Sequence, residues 1–128
     1  LALQPSIVIL EFGANDGLRG LDVAQITINL VQIIEKFQAR GTAVVLVGMK
    51  LPPNYGPSYT QAFAQMFSTI ATTHRTPFMP FFLQDVATKP TLNQPDGMHP
   101  TATGYAIIVE NLWLTLFPIL DLEKSGRK

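Results

Sequence analysis

One short loop near the end of the chain carries the residue types of acid–base chemistry. It reads Gln-Pro-Asp-Gly-Met-His-Pro over residues 94–100, and it places Asp96 three residues before His99, one of 2 histidines. An imidazole that acts as a general base needs a carboxylate at one ring nitrogen, which fixes its tautomer and stabilises the imidazolium. Pro100 disfavours helical backbone angles at His99 and is suited to open a following helix. Asp96 and His99 are therefore candidate catalytic residues, with a polar turn and a solvated histidine as the alternative.

A second group of candidate residues follows the first predicted strand, where Gly-Ala-Asn-Asp spans residues 13–16. Gly13 allows the backbone to turn sharply at the end of a strand. The side-chain amide of Asn15 is an uncharged donor that can stabilise a developing oxyanion. The alternative is a turn in which these polar side chains bond to their own backbone. Asp16 is expected to hold the loop by accepting backbone N–H groups.

The sequence contains no obvious nucleophile to complete this set. An oxyanion donor, a general base and the group that orients the base are most of the machinery of acyl transfer by a serine. None of the serines occupies a Gly-x-Ser-x-Gly turn, and we predict that none is the nucleophile: Ser6, Ser58, Ser68 and Ser125. The chain has no cysteine, which excludes a thiol nucleophile, a disulfide and a thiolate metal site.

Composition excludes several other classes of function. The 128 residues are 47% hydrophobic and 14% charged, with a formal net charge of zero, so a globular core is expected and nucleic acid is not an expected partner. Phosphate-binding glycine motifs and clusters of metal ligands are absent from the sequence, so no cofactor and no metal are predicted. We also expect no transmembrane segment, because we read no apolar run as approaching the roughly 18 residues that span a bilayer.

The hydrophobic pattern alternates between strand and helix. Nearly continuous apolar runs over 6–12, 42–48 and 78–82 predict buried strands, and helical spacing predicts helices over about 22–40, 58–76 and 101–117. Pro118 is expected to end or kink the last helix. Strands that alternate with helices predict a parallel sheet between helical layers, an α/β, three-layer α/β/α, flavodoxin-like fold. We expect one domain over residues 1–128, with at least one strand missing before residue 1.

Three blocks of sequence together resemble the SGNH, or GDSL, hydrolases. They occur in family order and are most similar to the arylesterase, thioesterase I and lysophospholipase L1 branch: Gly-Ala-Asn-Asp-Gly-Leu-Arg-Gly over 13–20, Leu-Pro-Pro-Asn-Tyr-Gly over 51–56, and Asp-Gly-Met-His-Pro over 96–100. The resemblance implies that Asn15 donates to the oxyanion and that Asp96 and His99 are the partners of a catalytic serine. It also implies that the loop with Leu51, Pro52 and Tyr55 borders the acyl groove, with a plain connecting loop as the alternative.

The family's Gly-Asp-Ser-Leu block, which carries the nucleophile, does not occur in this sequence. The resemblance therefore implies that residues 1–128 are the C-terminal portion of a hydrolase. The serine would then be supplied by the N-terminal segment of the same protein as a separate chain. We expect the isolated 128 residues to aggregate or to fold poorly, because apolar faces would be left exposed. Export to the periplasm or secretion is an expectation from the resemblance alone.

The function predicted on these grounds is hydrolysis of a carboxylic ester or thioester by Ser-His-Asp chemistry. The substrate is a small ester or thioester, and aryl esters, acyl thioesters and lysophospholipids are not ranked by the sequence. Two alternatives remain open. The chain is an inactive fragment that serves as a structural partner of the N-terminal segment, or the enzyme is an acyltransferase of the same family.

Overall fold

Strands and helices alternate along the chain as the hydrophobic pattern predicts. The computed structural model describes residues 2–126, with side chains described for residues 2–121. In chain order the elements are β1 (Ile7–Glu11), α1 (Ala14–Leu18), α2 (Val23–Gln38), β2 (Ala43–Val47), α3 (Pro57–His74), β3 (Phe78–Met79) and α4 (Ala102–Gly126), with 3-10 turns at Pro53–Tyr55 and Pro90–Leu92. They form two compact units: the first extends to Phe81, and the second begins at Phe82 and contains α4. The single domain expected over residues 1–128 stays a prediction.

The first unit contains a parallel sheet, which confirms the α/β class. Its strand order is β1-β2-β3, and Leu10 on β1 pairs in register with Leu46 on β2, which in turn pairs with Phe78 on β3. β3 ends at Met79 and is shorter than the predicted run over 78–82. Pro80 follows directly, and a proline has no N–H to donate to a ladder of strand hydrogen bonds.

Helices α2 and α3 pack against one face of this sheet and against each other. The side chains of β1 and β2 in this core alternate along each strand, as the pleat requires, and are Val8, Leu10, Val44 and Leu46; β3 contributes Phe78. The helices contribute residues at helical spacing, Ile26, Leu30 and Ile34 from α2 and Phe63, Phe67 and Ile70 from α3. The sheet and one helical layer of the predicted fold are thus contained in the first unit.

Strand β1 has one free edge among the described residues, because it pairs there with β2 alone. Its sequence, Ile-Val-Ile-Leu-Glu, has the β-branched, apolar character that is typical of a central strand. Ile9 is 44% exposed, and Phe12, just after the strand, is 62% exposed. An apolar, unprotected edge of this kind is a template for pairing with a further strand.

The second unit consists of irregular turns followed by the long helix α4. Val86 and Ile108 form its most buried apolar positions. Gly104 lies so close to the turns that an added Cβ would be 2.4 Å from the carbonyl oxygen of Leu92. A glycine is therefore required where the first turn of α4 meets this part of the chain.

Helix α4 continues through Pro118 to Gly126, so the predicted boundary at Phe117 was wrong, and the kink that was the other expected effect of Pro118 stays a prediction. A proline within a helix leaves the carbonyl four residues earlier without its helical donor. That residue is Leu114, which is 76% exposed, so water can satisfy its carbonyl and the helix can continue.

One stretch of α4 is long and apolar enough to cross a membrane, judged by length and composition alone. Residues Ala102–Asp121 form 20 residues with a mean hydropathy of 1.4. The expectation that no apolar run approaches this length was therefore wrong, because helix α4 extends beyond the predicted boundary at Phe117. Helices of soluble proteins pass the same test, so this single stretch is weak support for a membrane span.

Candidate active site

Asp96 and His99 are in direct contact in the second unit. His99 Nδ1 lies 2.6 Å from Asp96 Oδ2, and the backbone N–H groups of Met98 and His99 donate to Asp96 Oδ1 over 2.9 and 3.0 Å. Gly97 adopts a φ of 69°, which lets the chain reverse within three residues. The aspartate therefore holds the imidazole with one carboxylate oxygen and the backbone of the same loop with the other.

The electrostatics of this contact favour an ionised aspartate. The backbone N–H of His99, the His99 ring and the backbone N–H of Met98, in that order, lower the pKa of Asp96 to about 2. An ionised carboxylate can only accept hydrogen bonds, so Nδ1 of a neutral His99 carries the proton. The unprotonated Nε2 is then the nitrogen that can accept a proton from a nucleophile.

The loop that presents this pair is closed at its neck by two backbone hydrogen bonds. Gln94 N donates to His99 O over 2.7 Å, and Thr101 N donates to Leu92 O over 2.9 Å. These bonds flank an antiparallel bridge between Asn93 and Pro100. His99 is thus held at the neck, where the backbone is fixed, and lies just ahead of α4 as predicted, while its side chain is 64% exposed.

Asn15 lies on α1, a five-residue helix in the segment predicted as a loop. Gly13 has a φ of 96° at its start, and Gly17 packs so tightly that an added Cβ would lie 2.5 Å from the ring of Phe63. The sequence pattern does not predict this helix, because glycines are poor helix formers. Asn15 is exposed, and no described residue of the chain forms a hydrogen bond with its side-chain amide.

Asp16 does not hold this segment in the expected way. No backbone N–H among residues 2–126 donates to its carboxylate. The turn is held by backbone bonds instead, from Gly17 N to Gly13 O over 3.0 Å and from Leu21 N to Asp16 O over 3.1 Å. The amide of Asn15 is consequently presented by the backbone path of α1.

The three candidate substrate-binding residues differ in their surroundings. Leu51 is buried in the core of the first unit, Pro52 is exposed, and Tyr55 is half-buried. The Tyr55 hydroxyl donates to Leu18 O at the end of α1 over 2.8 Å. Its only proton is therefore used within the protein, which leaves the ring and an accepting lone pair of the hydroxyl oxygen for a ligand.

A second tyrosine reinforces this link, and sequence reasoning missed it. The Tyr59 hydroxyl donates to Leu21 O over 2.6 Å, and the rings of Tyr55 and Tyr59 stack with centroids 6.4 Å apart. The local pattern gave no signal for it, because Tyr55 precedes α3 and Gly56, with a φ of 86°, interrupts the helical path between the two tyrosines. The two tyrosines tie the loop over 51–56 and the start of α3 to the segment that carries Asn15.

Replacing Tyr55 with phenylalanine tests which role its hydroxyl has. Loss of one hydrogen bond should lower the free energy of unfolding by about 1 kcal/mol. The hydroxyl is bonded to Leu18 at the end of α1, the helix that carries Asn15, so its loss should act on Asn15 and not on substrate binding. We therefore expect kcat to fall while KM stays within a factor of roughly two to three. Steady-state kinetics and chemical denaturation measure both. A rise in KM at constant kcat would instead indicate that the hydroxyl binds substrate.

The structure thus brings Asp96 and His99 together in the second unit, and links Asn15 to the 51–56 loop in the first. Over residues 2–126 no group of three or more His, Cys, Asp or Glu side chains has the arrangement of a metal site. What the two groups can do chemically is acid–base catalysis at His99 Nε2 and hydrogen-bond donation from Asn15 Nδ2.

Comparison with known proteins identifies the family. The GDSL-like lipase/acylhydrolase family matches residues 1–107, which include Asn15, Asp96 and His99. The chain belongs to this family. The family resemblance predicted from three sequence blocks is therefore confirmed, and it extends over most of the chain.

Several relatives in this family have curated names. The chain is 42% identical over 117 residues to Esterase TesA of Pseudomonas aeruginosa, covering 91% of this chain and 58% of that protein. It is 40% identical over 106 residues to an arylesterase of Vibrio mimicus, covering 83% of this chain and 53% of that protein. It is 35% identical over 118 residues to thioesterase 1/protease 1/lysophospholipase L1 of Escherichia coli K12, covering 92% and 57%. The chain therefore spans a little over half the length of these relatives.

Solved structures of the GDSL-like family show the same fold. The crystal structure of TesA superposes with a TM-score of 0.85 at 42% identity, covering 90% of this chain and 64% of that one. The esterase EstA from Pseudoalteromonas sp., inhibited by monoethylphosphonate, gives a TM-score of 0.87 at 34% identity, covering 94% and 66%. The predicted SGNH hydrolase fold is thereby confirmed.

Proposed function

We propose that this family member hydrolyses carboxylic esters or thioesters by Ser-His-Asp chemistry. The observation that carries the proposal is the 2.6 Å contact between His99 Nδ1 and Asp96 Oδ2, which leaves Nε2 free to accept a proton. The esterase, arylesterase and thioesterase names of the relatives support the same reaction class. No metal or organic cofactor takes part in this scheme.

The reaction proceeds in two halves. A serine hydroxyl attacks the acyl carbonyl while His99 Nε2 takes its proton, and the imidazolium then protonates the leaving alcohol or thiol. Water attacks the acyl-enzyme in the second half, with His99 again as the base; the acyl–serine bond then breaks, the imidazolium returns the proton to the serine oxygen and the carboxylic acid is released. Asp96 stabilises the imidazolium, and Asn15 donates a hydrogen bond to the oxyanion of each tetrahedral intermediate. In an acyltransferase an alcohol would take the place of water, and the same residues would serve.

The serine is supplied by an N-terminal segment outside these 128 residues, on the same polypeptide or as a separate chain. The free, apolar edge of β1 supports this proposal, because a further strand can pair there. The shares of 58% and 57% that the chain covers in two relatives are consistent with a further segment of that kind. The alternative is that the chain alone is an inactive structural partner of that segment.

The acyl group of the substrate binds at the loop over 51–56. Pro52 and the ring of Tyr55 provide apolar contact surface, and Leu51 supports them from the core. Aryl esters, acyl thioesters and lysophospholipids all carry an apolar part that such a surface can bind. Location in the periplasm or outside the cell is part of the same proposal and rests on family membership.

The decisive experiment is intact mass spectrometry after treatment with a fluorophosphonate serine probe. The full-length protein is expected to gain one probe mass, and peptide mapping should place it on a serine outside residues 1–128. A label on a co-purifying smaller chain would show that the enzyme is cut. A sample that contains only residues 1–128 and takes no label would support the inactive fragment, whereas absence of label on the full-length protein would refute the hydrolase. A label on one of the serines of this chain would contradict our assignment of the nucleophile.

Replacing Asn15 with alanine tests the oxyanion donor. Loss of one such donor lowers kcat by about 10² to 10³. The matched control is Asn29→Ala, because Asn29 is also an exposed amide but lies on α2. Turnover of Asn15→Ala close to that of the control would refute the assignment.

A further inference from the structure

We propose that Asn93 is a positioning residue for His99. The inference rests on the proposed role of His99 as general base, and it concerns how the imidazole is fixed within the second unit. Asp96 fixes the ring relative to its own loop, since its bonds to that loop lie within residues 96–99. A different set of contacts must fix that loop relative to the rest of the second unit.

The side chain of Asn93 provides those contacts. Its Nδ2 donates to Val86 O over 2.8 Å and to Lys89 O over 2.9 Å, so both amide protons are used. Asn93 is 9% exposed, and Val86 is fully buried. The bond to Val86 O is buried, so water cannot easily replace that donor if it is lost, and the bond to Lys89 O is part-buried.

The turn that Asn93 binds has little other regular structure. Asp85 and Thr88 have φ values of 67° and 66°, backbone angles that residues other than glycine rarely adopt. The carbonyls of Val86 and Lys89 each accept one backbone N–H, from Lys89 over 3.3 Å and from Leu92 over 3.0 Å. The Asn93 amide adds a second hydrogen bond to each carbonyl and so ties the turn to the loop neck.

The backbone of Asn93 carries this restraint to His99. Asn93 forms the antiparallel bridge with Pro100, and the next residue, Gln94, donates its N–H to His99 O over 2.7 Å. The path from buried Val86 to the base thus runs through one side chain and one backbone hydrogen bond. Movement of Asn93 moves the backbone of His99, while the bond from His99 to Asp96 stays intact.

Two variants of the full-length protein test the proposal. Asn93→Asp keeps the shape of the side chain but has no donor when ionised, and Asn93→Ala covers the case in which the aspartate variant does not fold. Misplacement of a catalytic group by about 1 Å can cost on the order of 10² in rate, so we expect kcat to fall roughly 10- to 100-fold with KM little changed. The measurements are steady-state kinetics and amide hydrogen exchange at Gln94 and Thr101.

A matched control separates positioning from general loss of stability. Ile108→Ala removes a buried side chain of the same unit that makes no hydrogen bond to the loop neck. Assayed well below the melting temperatures of all variants, it should keep the wild-type kcat and the slow exchange at Gln94. Asn93→Ala should have a lower kcat than the wild type and faster hydrogen exchange at Gln94. Equal losses of kcat in the two variants, or unchanged exchange at Gln94 in Asn93→Ala, would overturn the proposal.

Failure of the proposed function would look different. A full-length wild-type protein that neither hydrolyses esters nor takes the fluorophosphonate label would refute the hydrolase. The inference about Asn93 would then be decided by ¹⁵N histidine spectra of His99 together with hydrogen exchange. Positioning requires the His99 ring signals and Gln94 protection to change in Asn93→Ala and to stay unchanged in Ile108→Ala.

Discussion

Replacing His99 with alanine is expected to lower kcat on the order of 10⁶-fold, the size of loss that follows removal of the histidine from a serine triad. The reason is that Nε2 of His99 is the only base in the proposed scheme. It takes the proton from the serine and returns it to the leaving group. The loss is measured on the full-length protein, by active-site titration with the fluorophosphonate probe and by single-turnover kinetics with a thioester substrate.

The second histidine of the chain gives the control for that experiment. His74 lies at the end of α3 in the first unit, and the hydrogen bond from Gln38 goes to its backbone carbonyl, not to its ring. His74→Ala should therefore leave kcat unchanged. A His99→Ala enzyme that retained more than about one-hundredth of the activity would exclude His99 as the base, because general base catalysis supplies at least that factor.

Replacing Asp96 with asparagine is expected to lower kcat about 10⁴-fold. The asparagine oxygen can still accept the N–H groups of Met98 and His99, so the turn should survive. The neutral amide cannot stabilise the imidazolium, and it can present an N–H to Nδ1 and so select the wrong tautomer. Steady-state kinetics with ¹⁵N spectra of the His99 ring check the rate and the tautomer together.

Asp85→Asn is the matched control for this variant. Asp85 is an exposed aspartate of the same unit with a φ of 67°, an angle that asparagine tolerates. The kcat of the Asp85→Asn enzyme should equal that of the wild type. An Asp96→Asn enzyme with comparable activity would show that the contact with His99 is not used in turnover.

The pKa of Asp96 also sets how the loop responds to acid. Because the folded value, about 2, lies below the ordinary value, the hydrogen bonds of the carboxylate add stability above the unfolded pKa. That contribution is lost as the pH falls through about 2. Loss of activity on the acid side at higher pH than this should therefore come from another group, and Asp96 should still be ionised there in a ¹³C carboxyl titration.

Much of the fold is predictable from the sequence because the hydrophobic pattern and the strand pairing are dictated by the same side chains. The apolar runs of β1 and β2 pair as neighbouring strands and bury one shared face against α2 and α3, and α2 shows its apolar stripe directly. The contact between Asp96 and His99 is also predictable, because it closes within three residues and depends on one glycine turn.

Other features depend on contacts that no local pattern shows. Helix α1 exists because Gly17 leaves room for the ring of Phe63, a residue far along the chain. The continuation of α4 past Pro118 depends on the exposure of Leu114, and exposure is a tertiary property. The bond from Tyr55 to Leu18 likewise joins residues 37 positions apart. In each case the deciding neighbour is distant in sequence.

The short range of the bonds around Asp96 has a consequence for how such an enzyme can change. The tautomer of the base is set by atoms within residues 96–99, whereas the proposed acyl surface over 51–56 belongs to the other compact unit. Substitutions that widen or narrow that surface need not disturb the proton-transfer chemistry. The proposed base and the proposed substrate surface can therefore vary independently. Substitutions at Pro52 and its neighbours can alter the substrate range without changing the contact between His99 and Asp96.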